Sequence, residues 1–242
     1  WCHRCGSTLS GAEQEEGAVT TTAWLVPFEM ETGVKLLSWT TTPWTLPFHR
    51  SLVVNPAATY VLLEKDGEYA WVSEDTSERW VTVLDAQKTN QHCLGADLAD
   101  AKYWSPWTTG QVASSPKVLP AAGTGVLHAV PGLSELDTDL ASDHGWEVLQ
   151  HLSVHGRLLE SPCEGQEGAL AGSEEAQAGV LKAYENSVWF AQMPYQTEHP
   201  HCWRHKVPLL TRASRQLFLT LDQATRDRAA QMVDKVRSEE RV

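Results

Sequence analysis

Trp39-Thr40-Thr41-Thr42-Pro43-Trp44-Thr45-Leu46-Pro47 packs four threonines, two tryptophans and two prolines into nine residues. The hydroxyls donate and accept hydrogen bonds, the indoles can wall a small apolar pocket, and the prolines stop a strand ladder from continuing. A strand ending in a rigid, hydroxyl-lined turn suits the floor of a small-molecule site. The same residues also make an ordinary β-edge, because threonine is a good strand former. The rest of the chain decides between the two.

Working outward, residues 18–28 and 34–42 read as strands, the first bounded by Gly17 and Pro27. Residues 51–54, 58–63 and 69–72 are three more short strands, separated by the turn signals Asn55-Pro56 and Asp66-Gly67. Strands at this spacing predict a β-barrel or sandwich-like body. Residues 74–92 are polar and mixed, with room for a short helix. Gly123-Thr124-Gly125 precedes a short buried strand over 126–130 that carries His128. Residues 134–143 start a helix, with Glu135, Asp137 and Asp139 near its N-terminus. Such carboxylates ordinarily serve as caps, and one of them could alternatively bind an amine. A Glu-, Gly- and Ala-rich loop leads into a helix over 174–184; an apolar strand at 208–212 and a polar helix over 222–236 close the pattern.

The 242 residues suffice for one large domain or two small ones. A composition of 42% hydrophobic and 21% charged residues is that of an ordinary globular protein, and no apolar run is long enough to span a bilayer. The net charge of −12 argues against a dedicated nucleic-acid-binding module, though not against a domain that handles one end of a nucleic acid gripped elsewhere. The chain opens on Trp1-Cys2 without a methionine or a signal segment, as expected of a piece of a longer protein.

Five cysteines with a CxxC at Cys2-His3-Arg4-Cys5 point to a reducing compartment and metal binding rather than to disulfides. A matching half follows at Cys202-Trp203-Arg204-His205. Cys2, Cys5, Cys202 and His205 make a closed tetrahedral set of the structural zinc kind, with His3, His199 and His201 as rivals for the fourth place. Such a clip brings the two ends of the segment together and makes everything between them an insertion.

Taken together, Trp39 through Pro47, Gly123-Thr-Gly-Val-Leu-His128 and His201-Cys-Trp-Arg-His-Lys-Val-Pro208 resemble the class I isoleucyl-tRNA synthetases, in the family's order and over nearly the whole chain. The region resembles their connective-peptide editing insertion; valyl and leucyl enzymes share the first two motifs, and Arg212 through Phe218 looks most like the isoleucyl branch. The fold this implies is α+β, a β-barrel-rich editing domain with a few peripheral helices on a small zinc-stapled stem. Residues 1–15 would form the first part of the stem, 16–192 the editing domain, and 193–242 the second part of the stem with the return to the synthetic core.

The resemblance implies an aminoacyl-tRNA synthetase (ligase) fragment with aminoacyl-ester hydrolase activity, removing valine mischarged on isoleucine tRNA. One methylene is worth only about 1–3 kcal/mol, a limit for which isoleucyl enzymes are themselves the standard illustration, so a second, smaller pocket removes what the first admits. By resemblance, Thr40, Thr41 and Thr42 hold the terminal adenosine and the attacking water, and Asp137 pairs with the substrate α-ammonium. Trp44 and His128 wall a side-chain pocket to which Trp39, His49 and Gly125 also belong. A positioned water on an ester needs no covalent nucleophile. The implied partners are the 3′ end of isoleucine tRNA, the valine ester and the rest of the synthetase, with no membrane. Structural zinc is the implied cofactor, ATP and magnesium belonging to the synthetic core. The implied compartment is the cytoplasm, with the mitochondrion open.

Two departures stand out. Phe48-His49-Arg50 replaces a small residue and an asparagine before the arginine, so Phe48 is expected to narrow the pocket. Leu133 through Thr138 replaces His-Gly-x-Asp-Asp-Tyr, keeping one aspartate of two. The alternative reading they raise is a degenerate insertion that braces the enzyme and positions the tRNA acceptor end without editing.

Overall fold

In a computed structural model, which describes residues 1–215 and 221–239, the chain is α+β. Its strands are β1 (Gln14–Met30), β2 (Lys35–Thr40), β3 (Ser51–Val54), β4 (Thr59–Lys65), β5 (Glu68–Ser73), β6 (Gln87–Leu94), β7 (Lys102–Trp104), β8 (Thr109–Gln111), β9 (Ala113–Ser114), β10 (Val126–Ala129) and β11 (Ala191–Cys202). The helices are α1 (Ser77–Leu84), α2 (Gly95–Leu98), α3 (Glu135–His144), α4 (Glu174–Tyr184) and α5 (Gln223–Glu239).

The main sheet runs β6-β4-β5-β2-β1-β7-β8, with β11 also paired to β1. β2 and β5 are parallel, and the other pairings in this sheet are antiparallel. Period-two alternation sends its side chains into two cores. Trp24, Val26 and Phe28 of β1 and Leu36 of β2 join Tyr60, Tyr103, Val126 and Tyr184 on one face. Leu25, Leu37, Val61 and Leu63 join Trp80, Leu84 and Trp189 on the other, beneath α1. A smaller sheet, β10-β3-β9, packs over the first core.

The sheet does not close into the expected barrel. β6 ends one edge and β8 the other, and β6 (Gln-Lys-Thr-Asn-Gln-His-Cys-Leu) is mostly exposed and polar, a composition that keeps an edge in water rather than seeking a partner. The expected apolar strand at 208–212 is also corrected. One bridge, His201 to Pro208, is followed by irregular chain in which Leu209 N–H donates to Pro200 and Leu210 N–H to Trp1. The proline cannot donate to a ladder. The Asp66-Gly67 hairpin forms as read, both residues at positive φ (53° and 82°).

β1 positions the site. Its first twelve residues pair with β11, from Gln14↔Cys202 to Leu25↔Ala191, and Trp24 through Glu29 pair with β2, so Trp24 and Leu25 are paired on both sides. Here β2 ends at Thr40, Pro43 opens a 3-10 turn over Pro43–Phe48, and the threonine-rich stretch lies at the junction of the paired arm and the body. Gln216, Leu217 and Phe218, part of the isoleucyl-like stretch, lie outside the described residues. Among the described residues, no helix is long and apolar enough to cross a membrane.

Candidate functional site

A cleft of about 780 Å³ opens at this junction, lined by Trp39, Thr40, Thr41, Thr42, Trp44 and Thr45 from the end of β2 and its turn, by His128 from β10, and by Ser134 and Asp137 from the start of α3. Gly123 lies beneath Trp39, where a Cβ would come within 3.2 Å of the indole; Leu209, Leu210 and Thr211 close one side. Seven of the nine residues read as catalytic or pocket-lining thus meet around one cavity. His49 and Gly125 do not line it. His49 is buried behind, its ring stacked on Tyr103 at 5.7 Å and edge-on to Phe28 at 5.1 Å. Gly125 (φ +72°) packs its backbone against Ser73, leaving no room for a Cβ. Phe48 also points elsewhere, against His151 at 4.8 Å, and does not narrow the cleft as expected.

Local chemistry fixes each wall. Thr42 N–H donates to Thr40 Oγ1 at 3.1 Å, and the two hydroxyls lie 3.4 Å apart, so the turn presents paired hydroxyls. The Thr45 hydroxyl donates to the Thr42 carbonyl at 2.7 Å and lies 3.0 Å from His128 Nε2. Burial holds His128 down at about 3, assisted by the nearby His49, so its ring is neutral. Trp44 packs on Leu152, Leu158, Ala169 and Ala176, and its carbonyl accepts from Gln166 Nε2 at 2.8 Å. Trp39 stands edge-on to Tyr195 of β11, ring centroids 5.0 Å apart.

Asp137 sits in the first turn of α3. Ser134 caps that helix, its hydroxyl accepting from Asp137 N–H at 3.0 Å. A helix N-terminus favours a carboxylate, yet burial prevails and raises the Asp137 pKa, against hydrogen bonds from Ser134 and the Val130 backbone. Its Oδ1 is buried with no donor among the described residues. The cleft therefore holds a desolvated carboxylate that a cationic group would complete.

Sequence reading missed Thr45, Gly123 and Gln166 as parts of the site. Thr45 belongs to the stretch first quoted and was legible there as a fourth hydroxyl; Gln166, in a Glu- and Gly-rich loop, carries no local signal.

At the far end of the β1–β11 arm, Cys2, Cys5, Cys202 and His205 place their ligand atoms within 4.8 Å of one another. Cys5 Sγ lies 3.8 Å from Cys202 Sγ and 3.3 Å from His205 Nδ1, and Cys2 Sγ and Cys202 Sγ each lie 3.8 Å from the same nitrogen. These are close to the roughly 3.5–3.8 Å edges of a tetrahedron with zinc–ligand bonds of about 2.0–2.3 Å. Of the rivals, His199 Nε2 contacts the Leu209 carbonyl at 2.8 Å and His201 Nδ1 the His199 carbonyl at 2.7 Å; neither they nor His3 joins the cluster, whose fourth member is His205. The cluster can hold a metal ion.

No protein-family profile matches the chain. It is 30% identical over 249 aligned positions to the isoleucine–tRNA ligase of Vibrio campbellii, covering 93% of this chain and 26% of that protein. The isoleucine–tRNA ligase of Thiobacillus denitrificans matches at 30% over 253 positions, with 94% and 26% covered. The chain thus spans about a quarter of the length of these relatives. Among solved structures, the editing domain of the P. knowlesi cytosolic leucyl-tRNA synthetase superposes with a TM-score of 0.54 at 9% identity, covering 72% of this chain and 97% of that one. The P. falciparum counterpart carrying deletions superposes at 0.51 and 7% identity, covering 71% and 99%. The fold is that of these domains.

Proposed function

Because this chain is related along nearly its whole length to a segment of the isoleucyl-tRNA synthetases, we propose that it is their connective-peptide editing domain and hydrolyses valine esterified to isoleucine tRNA. The observation that carries this reading is the cleft itself, where the Thr40–Thr42 hydroxyls, the Trp44 and His128 walls and the buried Asp137 converge from three separate parts of the chain. In this reading Asp137 pairs with the α-ammonium, whose charge offsets the desolvation of the carboxylate. Thr40, Thr41 and Thr42 hold the terminal ribose and orient a water on the ester carbonyl. Trp44 and His128 limit the side chain by size. An ester already carries a competent leaving group, so positioning supplies much of the rate.

The parent enzyme would ligate isoleucine to its tRNA with ATP and magnesium in a synthetic core outside this segment. We assign residues 1–15 and 193–242 to the stem and 16–192 to the editing body. A zinc ion on Cys2, Cys5, Cys202 and His205 would have a structural role, since four protein ligands leave no open position. The partners would be the tRNA 3′ end and the rest of the synthetase, in a cytoplasmic setting.

The test is deacylation of preformed valyl-tRNA by the full-length enzyme. Hydrolysis well above the spontaneous rate, with isoleucyl-tRNA spared, is expected. A rate equal to the spontaneous one would leave the chain as a brace for the acceptor end.

A further inference from the structure

The hydrogen-bonding sense of the His128 ring follows from its neighbour Thr45. The Thr45 hydroxyl has a single hydrogen. At 2.7 Å from the Thr42 carbonyl that hydrogen must lie between the two oxygens, because two bare acceptors do not approach so closely. Having spent its hydrogen, the Thr45 oxygen can only accept from its other neighbour, His128 Nε2, 3.0 Å away. The ring is neutral, so a proton on Nε2 leaves Nδ1 bare. That Nδ1 is buried and has no partner among the described residues, while the residue itself lines the cleft.

We infer that Thr45 is a positioning residue that locks His128 as the Nε2–H tautomer, so that the histidine offers the ligand a hydrogen-bond acceptor at Nδ1 and never a donor. A buried acceptor without a partner is costly, and the complement is an N–H or O–H donor on the bound molecule. The same logic holds for Asp137 Oδ1, also buried and without a partner among the described residues. The cleft therefore selects ligands rich in donors: an aminoacyl ester supplies an ammonium from its amino acid and hydroxyls from its ribose, and its carbonyl oxygen must seek donors other than His128. This deepens the proposed editing reading and rests on it for the identity of the ligand, though not for the tautomer.

The test is long-range ¹⁵N spectroscopy of the histidine-labelled chain, with the His128 signals assigned by their loss in His128→Asn. The wild type should show one neutral His128 with a protonated Nε2 and a bare Nδ1. Thr45→Val should lose that single pattern and Thr45→Ser should restore it. In the full-length enzyme Thr45→Val should raise KM for valyl-tRNA roughly three- to tenfold, the scale of one neutral hydrogen bond, with kcat little moved. If Thr45→Val fails to fold, the wild-type spectrum alone decides, and a protonated Nδ1 there overturns the inference.

Titration with a non-hydrolysable valylamino-adenosine and its des-amino counterpart then identifies the donor. A shift of the Nδ1 signal with the first alone assigns the ammonium, a shift with both assigns a ribose hydroxyl, and a shift with neither overturns Nδ1 as a ligand contact. A single Nε2–H tautomer in an enzyme that does not deacylate valyl-tRNA would sink the editing reading and uphold the tautomer.

Discussion

Gln166 Nε2 donates to the Trp44 carbonyl at 2.8 Å, supplying a hydrogen bond that Pro47, three residues further along the 3-10 turn, has no N–H to make. The same amide nitrogen donates to the Ala176 carbonyl at 2.7 Å, so one buried side chain joins the indole-bearing turn to α4. Gln166→Leu should cost about 1–3 kcal/mol by leaving the Trp44 carbonyl unpaired. Chemical unfolding measures the cost, and a loss below about 0.5 kcal/mol would show that the carbonyl has found another donor.

Acid should destabilise the fold from the ordinary histidine range downward. Burial holds His49 at about 4 and His128 at about 3, against 6.5 for an exposed imidazole. Between those values the unfolded chain binds protons that the native one refuses, so stability is full above pH 6.5 and falls as pH drops. Each histidine contributes roughly 1.4 kcal/mol per pH unit in that window. Urea midpoints from pH 7 to 4 should trace this slope, and His49→Phe should flatten part of it. An unchanged slope in that variant would remove His49 from the account.

Asp137 works in the opposite sense. Its pKa is raised in the fold, so the native state holds a proton that the unfolded chain has already released, and stability declines as pH rises past the ordinary carboxylate value of 3.8. Asp137→Asn should therefore stabilise the protein at neutral pH while abolishing deacylation. A variant that is both less stable and fully active would contradict the burial and the amine-binding role together.

Metal analysis of the purified chain should find about one equivalent of zinc, and Cys202→Ser should lose it. Chelation should lower the melting temperature, because metal affinity at a closed site is folding free energy. A zinc-free sample that melts at the same temperature would refute the stapling role.

The α+β body was legible where local chemistry and burial agree. The strands at 51–54, 58–63 and 69–72 and the Asp66-Gly67 hairpin follow from apolar runs bounded by turn residues. β11 was not legible: Pro194 and Pro200 argue against a strand, and they are tolerated because, among the described residues, β1 is the one strand that ladders with β11, its other side meeting only the His201–Pro208 bridge and the Leu209 N–H. At the site, the hydroxyl stretch and the cap at Ser134 are local signals, whereas the placing of His49 depends on a core assembled from Phe28 and Tyr103, far away in sequence. Residue type could not show that this imidazole faces inward, away from the cleft.

The twelve-residue ladder between β1 and β11 also has a mechanical side. Tension that separates Gln14 from Cys202 loads the ladder as a zipper, rung by rung from its outer end, rather than in shear along its length. The cysteine–histidine cluster sits at that outer end, where Cys202 is itself half of the first rung. With an ion in place it takes the load before any hydrogen bond does. A load applied at the cluster would then pass along the paired arm toward the cleft at its inner end.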